Sequence, residues 1–116
     1  MRSPLRAKVD AEVQQGVATC TVVEAELRYG MAKGGSAQRL GAPEAFLSLV
    51  TILPFDSAAA KEYGLLRAVL ERAGSRIGPN DLMIASIALA NGLTLVTHNV
   101  AEFSRVPGLR IEDWQT

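Results

Sequence analysis

Apolar residues recur along this chain with two different periods, and the switches between those periods lay out its elements. Leu5, Val9 and Val13 fall at i, i+4 and i+8, the stripe of a short helix that Gln14-Gln15-Gly16 ends. Val17 to Val23 is rich in Val and Thr and predicts a strand, which passes without a breaker into a helix over Glu24 to Gly30. Ala32 to Pro43 holds three glycines, so a continued helix and a loop both remain open there. Pro43 suits a first helical turn and predicts a short helix over Glu44 to Leu49, then a strand around Val50 to Pro54. Asp56 is the expected N-cap of a longer helix. In it Ala59, Tyr63, Leu66, Leu70 and Ala73 lie at i, +4, +7, +11 and +14, with Gly74 as the stop. Pro79 opens an almost wholly apolar helix to Ala90 that Asn91-Gly92 closes. Leu93 to Val96 reads as a continuous apolar strand buried on both faces, and Arg110 to Trp114 as a last short strand.

Strands alternating with helices over 116 residues predict one α/β domain, residues 1–116, built on a mostly parallel sheet with helices on both faces. Such a sheet places its functional side chains at the carboxyl ends of its strands.

Composition narrows the chemistry. Apolar residues make up 48% of the chain and charged residues 21%, enough for a core and too apolar for a disordered segment. Twelve basic residues balance twelve acidic ones, which argues against holding nucleic acid by bulk charge alone but leaves room for a nuclease with local carboxylates. A single cysteine, Cys20, and a single histidine, His98, exclude a disulfide framework, a multi-cysteine zinc site and a two-histidine metalloprotease. His98, beside Asn99, reads as a loop residue; nothing in the spacing pairs it with Cys20 or a serine. The uncharged run from Leu82 to Ala101 is interrupted by Asn91-Gly92, so it predicts a buried helix and strand, not a membrane span. No apolar signal segment follows Met1, and a soluble, cytoplasmic protein is expected. No glycine-rich phosphate loop and no G-x-S-x-G are present.

Three acidic positions then stand out. Glu24 has Arg28 at i+4 and predicts a solvated ion pair. Glu26, on the other side of the same helix, neighbours Val22, Val23, Tyr29 and Gly30, an apolar face on which a carboxylate is costly unless a cation neutralises it. The alternative is a glutamate reaching to solvent from the helix edge. Asp81 lies in a first helical turn, where the macrodipole alone stabilises negative charge. Glu102 follows the strand Leu93–Val96 in a loop with Asn99, whose amide can ligate a hard cation or close a turn. Each has an ordinary structural reading by itself. Together they suit Mg²⁺ or Mn²⁺, which prefer oxygen ligands and activate water against a phosphoryl group.

Glu-Leu-Arg-Tyr-Gly (Glu26–Gly30), Leu-Pro-Phe-Asp (Leu53–Asp56), Ile-Gly-Pro-Asn-Asp-Leu (Ile77–Leu82), Leu-Val-Thr (Leu95–Thr97), Glu-Phe-Ser-Arg-Val-Pro-Gly-Leu (Glu102–Leu109) and Glu-Asp-Trp (Glu112–Trp114) occur in this order. With these fragments in register from about Val17 to Trp114, the chain strongly resembles the PIN-domain toxins of the VapC type. The resemblance implies a three-layer PIN-like fold and a metal-dependent endoribonuclease acting on structured RNA such as tRNA. It also implies a VapB-like antitoxin as partner, a homodimer, and Mg²⁺, or alternatively Mn²⁺, as cofactor. Glu26, Asp81 and Glu102 match three of the family's acidic metal-site positions. Asn99 falls where many relatives carry an aspartate, as a neutral ligand or a hydrogen-bonding partner. Nothing before Glu26 resembles the family's first strand ending in Asp-Thr-Asn; Asp10 sits in a helical pattern with Lys8 and Glu12. The expectation is an N-terminally truncated PIN-like chain, lacking the family's first strand (its central one), first helix and first aspartate, with marginal stability and weak or absent activity. The competing expectation is an inactive PIN remnant that serves only as an antitoxin- or partner-binding module.

Overall fold

The computed structural model describes residues 18–34 and 37–114, with the side chains of residues 37–41 excepted. The helix expected over Leu5–Val13 lies outside the described residues. The rest fall into two compact units divided between Pro54 and Phe55, and each is described by itself.

The first unit runs strand, helix, helix, strand. β1 (Ala18–Cys20) leads into α1 (Thr21–Gly34), then α2 (Ala37–Leu49) and β2 (Thr51–Leu53). β1 and β2 pair in parallel, with Ala18 opposite Thr51 and Cys20 opposite Leu53. The strand expected to reach Val23 ends at Cys20, and Thr21, Val22 and Val23 form the first turn of α1 instead. Their β-branching favours a strand only weakly, and Glu24 stabilises a helix N-terminus here. Pro43 does not open its helix but lies inside α2, which starts at Ala37 and so takes in the second half of the stretch that the sequence left open. Cys20 and Leu47 are buried, whereas α1 buries none of its residues, and Tyr29 and Leu49 are exposed.

The second unit holds α3 (Ser57–Ala73), α4 (Pro79–Ala90), β3 (Leu95–Val96), α5 (Val100–Phe103) and β4 (Ile111–Glu112). α3 forms as expected. The Asp56 carboxylate accepts from the Ala59 N–H at 3.0 Å, and Gly74, at φ +69°, closes the helix with its N–H on the Glu71 carbonyl. Its predicted stripe buries Ala59, Leu66 and Leu70. Those leucines meet Leu82 and Ala85 of α4 together with Phe103 and Val106, with Tyr63, Ile77 and Ile111 packed around them. α4 buries Leu82, Ala85, Ser86, Ile87 and Ala88, and the Ser86 hydroxyl is satisfied by the Leu82 carbonyl at 2.7 Å.

β3 and β4 pair in parallel, Leu95 opposite Ile111 and Val96 opposite Glu112. The strands are thus parallel as expected, and among the described residues each unit holds one two-stranded ladder. β3 is also shorter than predicted and is not buried on both faces: Leu93 and Val96 are 41% and 37% exposed. Within its ladder β3 has β4 as its one partner, so less of its surface is covered than a central strand's. The last strand likewise shrinks from Arg110–Trp114 to Ile111–Glu112, and Trp114 is buried with its indole N–H on the Glu112 carboxylate.

Candidate active site

Asp81 and Glu102 are brought together by two helix starts. Gly78-Pro79 puts a proline at the head of α4, where its missing N–H costs nothing, and leaves Asp81 in the first turn. Glu102 is carried by α5, a single turn that hydrophobic periodicity is too coarse to find. It starts just past β3, at the carboxyl end of the strand, where parallel sheets place their sites.

Glu102 is held by both of its oxygens. Oε2 accepts from the Gly78 N–H at 2.8 Å, and Oε1 accepts from the Asn99 side-chain amide at 2.8 Å. The Asn99 N–H in turn donates to the Thr97 hydroxyl at 3.0 Å, so Asn99 is itself fixed by the residue leaving β3. Asp81 lies within hydrogen-bonding reach of Glu102. Asp81 is pushed up to about 6, chiefly by burial and then by the Glu102 carboxylate beside it. Glu102 is held below the usual carboxylate range, chiefly by the Gly78 N–H. The two therefore share a proton as a pair, with Asp81 keeping it to the higher pH.

Around the pair sit groups that the sequence did not mark. Arg105 is close enough to favour the charged form of Glu102, and its guanidinium donates to the Arg76 carbonyl at 2.9 Å. Neither that carbonyl nor the Gly78 N–H carries a side-chain signature; only Pro79, as the start of a helix, pointed to the segment. His98 pairs with Asp113 at 3.2 Å, which ties the site loop to the residue after β4. Ile77 and Pro79, which flank Gly78 in the chain, line an open cavity of about 360 Å³ together with Leu82, Tyr63, Arg67, Leu70, Glu71 and Arg76.

Glu26 belongs to the first unit, on α1. The apolar face expected around it is not buried: Glu26 is exposed, and so are Tyr29 and Gly30. Desolvation therefore does not single it out, because the side chain keeps access to water. Glu24 pairs with Arg28 at 2.8 Å as expected, and Arg28 also reaches Glu44 of α2 at 3.3 Å. Among the described residues no group of three or more His, Cys, Asp or Glu side chains lies close enough together to hold a metal ion. Asp81 and Glu102 by themselves still suit Mg²⁺, which commonly takes one or two protein carboxylates and fills its shell with water and substrate phosphate. Two carboxylates packed so that one resists ionising are short of positive charge, and a divalent cation supplies it. No helix among the described residues is long and apolar enough to cross a membrane.

Comparison with known proteins identifies the family. A family model described as PIN domain matches residues 2–109. The tRNA(fMet)-specific endonuclease VapC of Salmonella typhimurium is 47% identical over 90 residues, covering 77% of this chain and 68% of that protein. Ribonuclease VapC2 of Rickettsia felis is 43% identical over 99 residues, covering 84% of this chain and 74% of that protein. Among solved structures, that of VapBC2 from Rickettsia felis bound to a DNA fragment from their promoter matches with a TM-score of 0.86 at 39% identity. The match covers 93% of this chain and 83% of that one.

Proposed function

This chain belongs to the PIN domain family, among the VapC ribonucleases, and on that premise we propose that it is a metal-dependent endoribonuclease toxin. Its substrate class is structured RNA such as tRNA, the substrate named for the Salmonella relative. Its activity is restrained by a VapB-like antitoxin, as the VapBC assembly of the structural relative suggests. Two ribonuclease relatives at more than 40% identity favour this over a module that only binds a partner.

One observation carries the chemistry: Asp81 and Glu102 sit side by side, with Glu102 fixed through both oxygens. We assign these two as cation ligands, Glu26 as a third carboxylate by its match to the family's acidic position, and Asn99 as the group that orients Glu102. Bound there, Mg²⁺ or Mn²⁺ supplies an acidified water and charge stabilisation for a phosphodiester. The chain's own residues prepare that chemistry. Gly78 and Asn99 spend no reorganisation at the moment of reaction, because their donors already point at Glu102. Asp81, ionised above about pH 6, contributes a second negative oxygen. Arg105 sets a positive charge at the edge of the pair, which suits an incoming phosphate.

Incubation with tRNA and Mg²⁺ or Mn²⁺ tests the reading. Discrete cleavage that EDTA abolishes and that Asp81→Asn and Glu102→Gln each lose is the expected result. Full cleavage by Asp81→Asn overturns the site assignment, and no cleavage by the unaltered chain with either cation overturns the activity.

A further inference from the structure

The cavity beside the acid pair has a floor and a rim of different chemistry. Leu70 and Leu82, both buried, make the floor apolar, and Ile77 and Pro79 add apolar surface to the lining. The rim is a tyrosine ring and two guanidinium groups, Tyr63, Arg67 and Arg76, with Glu71 between the arginines. Arg67 is fixed on Glu71 at 2.9 Å and touches the Tyr63 hydroxyl at 3.4 Å, so one arginine offsets Glu71. Arg76 is 75% exposed and reaches Glu71 only at 3.7 Å, which leaves a net positive edge towards solvent. The Tyr63 ring is held edge-on by Phe55, with centroids 5.8 Å apart and planes at 87°. Its plane is therefore set before anything binds.

A rigid aromatic ring, a planar guanidinium and an apolar lining are what an unstacked RNA base seeks, and the exposed Arg76, in excess over the one carboxylate of Glu71, suits its phosphate. The volume of about 360 Å³ falls within the range of about 300–1,000 Å³ that seats small ligands. Position adds to this. Ile77 and Pro79 flank Gly78, whose N–H holds Glu102, so the cavity and the carboxylates share one turn of backbone.

We propose that this cavity seats one nucleobase of the RNA, with Tyr63 and Arg67 stacking on the base and Arg76 meeting its phosphate. The inference deepens the ribonuclease reading and rests on it. It makes Tyr63, Arg67 and Arg76 residues of substrate selection, distinct from the carboxylates.

The test separates binding from cleavage. A fluorescently labelled RNA stem-loop, and versions each lacking one loop base, are titrated against the protein in EDTA by anisotropy. Cutting of the same RNAs is followed separately with Mg²⁺ or Mn²⁺. Loss of one particular base is expected to weaken binding about tenfold. Tyr63→Leu should bind intact RNA about as weakly and no longer distinguish the lesion, while Tyr63→Phe, which keeps the ring, should behave as the unaltered chain. Arg76→Gln, at an exposed position, should weaken binding without removing the dependence on that base. Cleavage with equal binding of every lesioned RNA overturns the pocket and leaves the ribonuclease reading standing. Lesion-sensitive binding without cleavage does the reverse, and neither binding nor cleavage overturns both. If Tyr63→Leu weakens a VapB-like antitoxin and leaves RNA unaffected, the cavity serves a protein and the proposal fails.

Discussion

The Asn99 side-chain amide donates to Glu102 Oε1 at 2.8 Å, and its own N–H is anchored on the Thr97 hydroxyl. With its nitrogen turned to the carboxylate, Asn99 acts here as an orienting group. Asn99→Ala frees one Glu102 oxygen without touching the core, so the fold should persist and RNA cleavage should fall about 10–100-fold. Initial-rate assays with circular dichroism as the folding control measure this.

Asp81 opposes its own fold at neutral pH. Its folded value of about 6 lies above the ordinary 3.8, so the folded chain holds the proton more tightly. The stability this contributes is fully present below about 3.8 and is lost as pH rises through about 6. Glu102 works in the opposite sense, its contribution being present above its ordinary range and lost in acid. Asp81→Asn should therefore raise Tm at pH 8 by a few degrees, with the gain disappearing near pH 4, while cleavage is abolished. Melting curves across pH read the trend; a lower Tm at pH 8 contradicts it.

A divalent cation relieves the same repulsion. Mg²⁺ or Mn²⁺ should raise the Tm of the unaltered chain above pH 6 and leave the Asp81→Asn, Glu102→Gln double variant where it was. Calorimetric scans with and without EDTA make the comparison.

Much of this was legible in the sequence, and the failures have definite causes. Asp56, the stripe through Leu66 and Leu70, and Gly74 agree on one helix, so α3 was found from end to end. Thr21-Val22-Val23 misled because β-branching is a weak preference that a helix start overrides. Leu93–Val96 looked like a strand buried on both faces because apolarity reports what can be buried, not what lies alongside. Asp81 and Glu102 could be chosen as carboxylates after a turn and a strand. The Gly78 N–H could not, because a backbone donor looks the same in every sequence. Glu26 was picked out by an apolar face that is not buried, so it stays in the site as a proposal from the resemblance alone.

Glu26 offers a clean separation of activity from stability. Because the side chain is exposed, Glu26→Gln leaves no cavity and should keep the chain folded. As a third carboxylate it should lower metal-dependent cleavage. Urea unfolding paired with cleavage assays decides, and full activity removes Glu26 from the site.

Asp56→Ala deletes the acceptor that closes the start of α3. The second unit should lose about 1 kcal/mol of stability, seen as a lower urea midpoint at an unchanged slope. Leu70→Ala, deep in the same core, should cost about 2–5 kcal/mol by the same measurement.

The pairing of β3 with β4 sets an order of events during synthesis. Leu95 and Thr97 donate their N–H groups to the carbonyls of Arg110 and Glu112, and His98 leans on Asp113. All three partners leave the ribosome after Asn99 and Glu102 do. The loop that aims Glu102 can reach Gly78 and Thr97 as it emerges, but it gains the support of β4 only once the chain beyond Arg110 has followed and zipped alongside β3.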